Sequence, residues 1–370
     1  MRSIDATRGL AMLFVCFSHF VDVVVAHRRS YVLFRALGMI ASPAFMLISG
    51  MTLGYTARHS PATLHRFVSK LRERAVFLLT VVHALLVPSH LYAVGGLDRA
   101  ARTIFITDTI AFALLVGPWI VARTGARARV LTAAALVAVS WAVILAAPPD
   151  APLPLRVLQE ALFGSAGDTW IPYNFPLIPW LGVYLLGTVI GESLPEPRAA
   201  RGASRAPSAA GVLLRWSRLF LGGALAALAA RVALPRVWPA SRAGALHLLL
   251  TPFGKRPPSP GYMLMYGAIA LGMAAVLTLA MDRGRLTWAT DRLAEIGRSS
   301  VWIFVVQFYV YYFCGMRWPV RYEALWPAYF AASVVLIALA ARAWLALGGN
   351  RLIRVPGWPA PRPAVGAGAP

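Results

Sequence analysis

The sequence predicts an all-α, polytopic integral membrane protein, and composition and segment length support this prediction. Of the 370 residues, 59% are hydrophobic and 14% are charged, and the mean hydropathy is +0.65. A soluble domain carries about 25% charged residues, so most side chains here face something other than water. Several apolar runs reach about 20 residues, the length a helix needs to cross a bilayer core. Because a spanning segment must satisfy its own backbone hydrogen bonds, we expect a helix bundle.

The apolar runs predict about ten transmembrane helices. They lie near 9–26, 31–56, 74–95, 103–122, 130–147, 171–191, 212–234, 261–281, 299–316 and 325–347. Residues 1–354 are therefore interpreted as one transmembrane domain. The Pro-, Ala-, Arg- and Ser-rich stretch near 195–210 is interpreted as a flexible inner linker, and the Pro-, Gly- and Ala-rich tail 355–370 as disordered.

The basic residues indicate the orientation of the chain. With a cytoplasmic N-terminus, 23 of the 36 basic residues lie on the inner side, which predicts that both termini are cytoplasmic. A net charge of +22 could suggest nucleic acid, but basic loops beside membrane spans explain it better. The expected location is the cytoplasmic (inner) membrane, with the lipid bilayer as partner and no nucleic acid. The two cysteines, Cys16 and Cys314, lie in apolar runs without metal spacing, so no metal is expected.

The first span carries the clearest chemical signal. Asp5, Arg8, His19 and Asp22 fall on one stripe, and Arg8 precedes His19 by about three helical turns. An ionisable group inside a span costs roughly 2.5–3.5 kcal/mol, so such groups usually line a cavity or pair with a partner. A carboxylate near an imidazole orients it and raises its basicity, as a general base needs. His19 and Asp22 are thus candidate catalytic residues, unless they only pair with polar groups on other helices.

Several motifs resemble known membrane acyltransferases. The opening RSIDATRGLAMLF, with His19 eleven residues after Arg8, resembles two related groups: the O-antigen acetylation family and the heparan-alpha-glucosaminide N-acetyltransferase family with its bacterial relatives. Three stretches are similar to the second group: SPAFMLISGMTLGY (42–55), FPLIPWLGVYLLGTVIG (175–191) and KRPPSPGYMLMYGAIALG (255–272). The segment GRSSVWIFVVQFYVYY (297–312) resembles a helix of both groups.

The resemblance implies acyl transfer from cytoplasmic acyl-CoA, expected to be acetyl-CoA, to an extracytoplasmic sugar or glycan acceptor. Arg8, beside Asp5, would meet the CoA phosphates. His19 would deprotonate the acceptor or itself accept the acyl group, and Asp22 would orient it.

The resemblance also implies that Lys255 and Ser259 help to shape the site. The sequence departs from the family pattern at two places. Gln307 stands where the penultimate helix commonly carries a His, and the surroundings of His27 do not match those of the lysosomal enzyme's proposed acetyl-accepting His.

Three further residues are candidate acceptor-binding groups. His83 and His90 lie seven residues apart on the third span and could line an acceptor channel, or they could be satisfied bundle residues. Asp108 begins the fourth span and could bind acceptor hydroxyls or pair with Arg99 or Arg102.

Two other classes of function remain open from the sequence alone. A proton-coupled transporter or flippase of an envelope precursor would also use buried ionisable residues, but no internal repeat of the kind that marks many transporters is evident. A sensor or scaffold without chemistry is the third hypothesis. The acceptor, the acyl chain and the oligomeric state, a homodimer included, are not determined by the sequence.

Overall fold

The computed structural model describes residues 2–24, 31–148, 150–166, 169–196, 208–237, 247–318 and 323–351. Most of the predicted linker (197–207), the predicted tail and His27 lie outside the described residues. Within those ranges the chain is helical, and its β pairing is limited to two isolated bridges.

The helices are named here in chain order. They are α1 (Arg2–Val24), α2 (Tyr31–Gly38), α3 (Ala41–His59), α4 (Pro61–Phe77), α5 (His83–Ser89), α6 (Leu91–Val94), α7 (Leu97–Ala101), α8 (Ile106–Arg123), α9 (Ala126–Ala146), α10 (Leu153–Leu162), α11 (Leu177–Ser193), α12 (Ala209–Val237), α13 (Pro260–Asp282), α14 (Thr287–Arg298), α15 (Ser300–Phe308) and α16 (Trp326–Ala346). Two π-helical turns, Leu78–Val82 and Tyr309–Gly315, follow α4 and α15.

All ten predicted spans fall on helical segments, so the all-α polytopic fold is confirmed. Within the described residues, seven helices are long and apolar enough to cross a membrane: α1, the joined segment Phe34–His59, α8, α9, α12, α13 and α16. Two shorter apolar helices, Leu177–Ser193 and Ser300–Gly315, match two more predicted spans. The remaining span, 74–95, falls on the end of α4, a π-helical turn, α5 and α6. The number ten and the placement of both termini stay predictions.

Helices α3 and α11 pack backbone against backbone through reciprocal glycines. A Cβ atom at Gly50 or Gly54 would collide with carbonyl oxygens of α11, those of Tyr184 and Thr188 respectively. In the same way, a Cβ at Gly187 or Gly191 would collide with carbonyl oxygens of α3. Both pairs have the four-residue spacing of small residues that lets membrane helices approach closely. This contact forms the centre of the bundle.

A second glycine contact holds α1 in place. A Cβ at Gly9 would collide with the Leu293 carbonyl oxygen of α14, and a Cβ at Gly297 would collide with the Asp5 carbonyl oxygen of α1. Each helix therefore needs the other's glycine at the crossing point. The crossing fixes the position of α1 along its axis and its rotation about that axis. The polar stripe predicted from the sequence therefore faces one defined side.

We predict that Gly54→Ala destabilises the protein, whereas Gly222→Ala does not. Adding a methyl group to a filled contact costs about 1–3 kcal/mol, although alanine has the better helix propensity by about 1 kcal/mol. At Gly222, on α12, a Cβ would have no described atom within 4 Å, so only the propensity gain remains. Thermal unfolding in detergent should show a lower Tm for Gly54→Ala only. Equal Tm values for the two variants would contradict the close approach.

Candidate active site

The bundle encloses two neighbouring cavities. The larger, here called the His19 cavity, has a volume of about 270 Å³, and its lining includes His19, Asp22, His90, Lys255, Arg256 and Tyr312. The smaller, here called the Arg8 cavity, has a volume of about 180 Å³, and its lining includes Arg8, Met12, Phe45, Arg74, Leu78 and Thr107.

One face of α1 lines both cavities. Arg8 and Met12 face the Arg8 cavity, and Val15, His19 and Asp22 face the His19 cavity. These positions are three or four residues apart, which is the spacing of a single helical face. The stripe recognised in the sequence therefore runs from one cavity to the other.

Gln307 determines which nitrogen of His19 carries the proton. The His19 Nδ1 lies 2.7 Å from the Gln307 Oε1. The Gln307 Nε2 donates to the Phe304 carbonyl at 3.1 Å, which orients the amide so that its oxygen faces His19. An amide oxygen only accepts, so the His19 Nδ1 is the protonated donor and Nε2 keeps its lone pair. His19 is thereby prepared to accept a proton at Nε2.

Asp22 lines the same cavity as His19 and contacts Tyr312. Its Oδ2 accepts a hydrogen bond from the Tyr312 hydroxyl at 3.2 Å. The sequence led us to expect that Asp22 orients His19; in the structure Gln307 lies at the His19 Nδ1, and the orienting role of Asp22 stays a prediction. Gln307 was visible in the sequence only as a departure from the family pattern, because its contact joins residues 288 positions apart.

His90 brings a second imidazole to the His19 cavity. Its Nδ1 lies 3.1 Å from the Leu86 carbonyl oxygen, which can only accept, so in the neutral imidazole the proton is on Nδ1 and Nε2 keeps its lone pair. The rings of His19 and His90 each pack on Phe308 with centroids 4.5 Å apart. His90 thus lines the cavity, as the channel hypothesis expected of it.

Three other predicted residues, His83, Asp108 and Ser259, do not belong to the described lining of either cavity. His83 Nδ1 lies 3.0 Å from Asp108 Oδ2, and that carboxylate also accepts from the Phe105 backbone N–H at the start of α8. Ser259 is fully buried and caps α13 by accepting from the Tyr262 N–H at 3.1 Å. Arg102, once a possible partner of Asp108, pairs with Asp98. The substrate-binding roles of His83, Asp108 and Ser259 stay predictions.

The loop before α13 brings two cations to the His19 cavity. The Lys255 ammonium lies 5.4 Å from the Phe175 ring centroid, and the Arg256 guanidinium lies 4.5 Å from that of Tyr173. Both distances are within the range of cation–π attraction. Burial and, to a smaller extent, the neighbouring Arg256 lower the pKa of Lys255 to about 8, while Asp22 opposes the shift.

A buried carboxylate shapes the aromatic wall of this cavity. Glu160 on α10 is fully buried and accepts from the backbone N–H groups of Trp170 and Ile171 at 3.0 and 2.9 Å. Its charge is balanced by Arg156 at 3.0 Å. These bonds hold the segment that presents Tyr173 to the cavity. The sequence alone gives Glu160 no role, because its backbone partners follow ten or eleven residues later in an irregular part of the chain.

The Arg8 cavity contains two guanidinium groups from different helices. Arg8 comes from α1 and forms an ion pair with Asp5 at 3.3 Å, and Arg74 comes from α4. Asp5 therefore positions Arg8 from beside the cavity. The sequence did not mark Arg74 as a candidate, because it ends a run of basic residues that indicated only the orientation of the chain in the membrane. Among the described residues, no group of three or more His, Cys, Asp or Glu side chains is placed to hold a metal ion.

Two apolar side chains lie at the boundary between the cavities. Ile106 and Phe304 belong to the linings of both, and both are buried. The Phe304 ring packs edge-to-face on Phe308, with centroids 4.9 Å apart, and Phe308 contacts His19. Met12 and Val15 of α1 face this division from its two sides.

Comparison with known proteins links this site to a family. The family model for the catalytic domain of heparan-alpha-glucosaminide N-acetyltransferase matches residues 1–222, more than half of the chain. The matched part contains Arg8, Arg74, His19 and His90 but neither Lys255 nor Gln307. A search of curated proteins found no match.

We predict that Lys255 reacts with an amine-acylating reagent with a midpoint near pH 8, because the nucleophilic neutral amine forms above its pKa. Asp22→Asn should move the midpoint to lower pH, since the Asp22 charge raises this pKa, and Arg256→Gln should move it to higher pH. Mass spectrometry of peptides labelled across a pH series measures the midpoint. Lys70, the exposed second lysine, provides the internal reference for reagent decay. Unchanged midpoints in both variants would contradict the electrostatic influence of Asp22 and Arg256 on Lys255.

Proposed function

We propose that this chain, which belongs to the heparan-alpha-glucosaminide N-acetyltransferase catalytic family, transfers an acyl group, acetyl in the first instance, from acyl-CoA to a sugar or glycan acceptor. One observation carries the proposal. A single face of α1 joins a cavity containing two guanidinium groups to a cavity containing an imidazole with an unprotonated Nε2. The family match favours this function over a transporter.

The Arg8 cavity supports binding of the acyl-CoA donor. Guanidinium groups bind phosphates through paired, charge-assisted hydrogen bonds, and Arg8 and Arg74 line the same space. Its volume of about 180 Å³ is below that of typical ligand pockets, about 300–1,000 Å³. The apolar remainder of the cavity therefore suits the slender thioester arm, with the CoA nucleotide outside and its phosphates at the arginines.

The His19 cavity supports the chemical step. Nε2 of His19 takes the proton from the acceptor hydroxyl or amine as that atom attacks the thioester carbonyl. The bond from the acceptor oxygen or nitrogen to the acyl carbon forms, the C–S bond breaks, and the electron pair passes to the CoA sulfur. The proton on Nε2 then returns to the thiolate. In the covalent alternative, Nε2 attacks the thioester carbonyl, the C–S bond breaks and CoA leaves as the thiolate. The acceptor oxygen or nitrogen then attacks the acyl-imidazolium, the electron pair of the N–C bond returns to Nε2, and the acceptor's proton passes to the thiolate.

The arrangement along α1 also suits transfer across a membrane. Arg8 and His19 are eleven residues apart, which at 1.5 Å per residue is about 16 Å along the helix. Most basic residues lie on the predicted inner side of the membrane, which is also the side of the N-terminus. This distribution suits a cytoplasmic donor beside Arg8 and an extracytoplasmic acceptor beside His19. In a bacterium this membrane would be the inner membrane, and the acceptor a component of the envelope.

His19→Ala should lower kcat by about 10²–10⁴-fold, because general-base catalysis contributes that much, and should leave acetyl-CoA affinity unchanged. Binding and CoA release are measured with radiolabelled acetyl-CoA and purified protein in nanodiscs, with methyl α-glucosaminide as the acceptor probe. His65→Ala is the matched control, since His65 is exposed and belongs to neither cavity lining. If wild-type protein binds no acyl-CoA, the proposed function is wrong.

Arg8→Gln should raise KM for acetyl-CoA by about tenfold to a hundredfold, because a hydrogen bond to a charged group contributes about 1.5–3 kcal/mol. The value of kcat should change little, since His19 is untouched. Steady-state kinetics with varied acetyl-CoA separates the two constants. Arg66→Gln, an exposed position on α4, controls for the loss of one positive charge. A fall in kcat at unchanged KM would contradict the role of Arg8 in donor binding.

A further inference from the structure

The division between the two cavities has a specific composition. Within the described residues, Ile106 and Phe304 are the side chains common to both linings. They are 7% and 6% exposed, so they are packed on most sides. An acyl group that moves from the Arg8 cavity toward the His19 Nε2 therefore passes along these two side chains.

The two residues differ in how firmly they are held. Ile106 is the first residue of α8, whose start is fixed by the hydrogen bond from the Phe105 N–H to Asp108. Phe304 lies on α15 one turn before Phe308, and its ring is held by the edge-to-face contact with Phe308. A phenylalanine ring turns about two side-chain bonds, so a small rotation of Phe304 widens the passage without moving a helix.

We propose that Phe304, opposed by Ile106, sets the length of the acyl group that this protein transfers. This inference rests on the proposed function and deepens it. The closed division admits a two-carbon acetyl group after a small ring rotation. Each further methylene must be accommodated between two packed side chains, and a single methylene in a tight apolar site changes a rate by about tenfold or more. Phe304 thus acts as a specificity-determining residue, while the donor phosphates and His19 lie on either side of it.

The test compares acetyl-, butyryl- and hexanoyl-CoA as donors, with CoA release in the presence of methyl α-glucosaminide as the readout. Wild-type protein should prefer acetyl-CoA. Phe304→Ala should raise the butyryl-to-acetyl ratio of kcat/KM by at least about tenfold. Phe304→Leu, a milder truncation that preserves packing, should change the ratio in the same direction, and Phe304→Trp should lower the rate with butyryl-CoA further.

Phe220→Ala is the matched control. Phe220 is equally buried, at 6% exposure, and belongs to neither cavity lining, so the same truncation there should leave the ratio unchanged. If wild-type protein transfers acetyl but Phe304→Ala and Phe304→Leu keep its chain-length ratio, the role of Phe304 is wrong and the proposed function stands. If wild-type protein does not release CoA from any of the three donors, both proposals are wrong.

Discussion

The contact of Gly9 with α14 and of Gly297 with α1 is the constraint on which the site depends. In a membrane, apolar side chains gain little by leaving lipid for protein, so close packing must hold helices together. The crossing brings α1 to backbone distance from α14 and thereby sets the direction of its polar stripe. A shift of one residue would turn that stripe by about 100° and take His19 away from Gln307. The geometry of the candidate site thus depends on glycines, which have no side chains.

The part of the site that lies on one helix could be predicted from the sequence. Helical spacing alone placed Arg8 and His19 on one face, because the period of a helix is a local property. Gln307 and Arg74 could not be assigned in this way, since only the tertiary fold brings them to α1. The sequence offered His83 with His90 as residues of an acceptor channel and Asp108 as an acceptor-binding group, but it did not predict that His83 and Asp108 contact each other.

The fold itself was predictable because hydrophobicity and length decide which segments can span a bilayer. Local departures from the regular α-helix could not be predicted in this way. The π-helical turn Tyr309–Gly315 sits in an apolar run whose composition is that of an ordinary helix. Its wider winding gives the segment a different angular spacing, and Tyr312 reaches Asp22 from it. Such turns depend on what packs around them and often occur at functional sites.

The apolar division between the cavities has a consequence for the membrane as a whole. Two cavities that contain charged groups would, if joined end to end by water, form a file of water through the bundle, and protons would leak along it. Each charge that crosses releases about 2.3 kcal/mol per 100 mV of membrane potential. A dry apolar constriction blocks such a path, because water leaves it and ions do not enter. Ile106 and Phe304 would therefore allow a reaction deep in the bilayer without a leak of protons across the membrane.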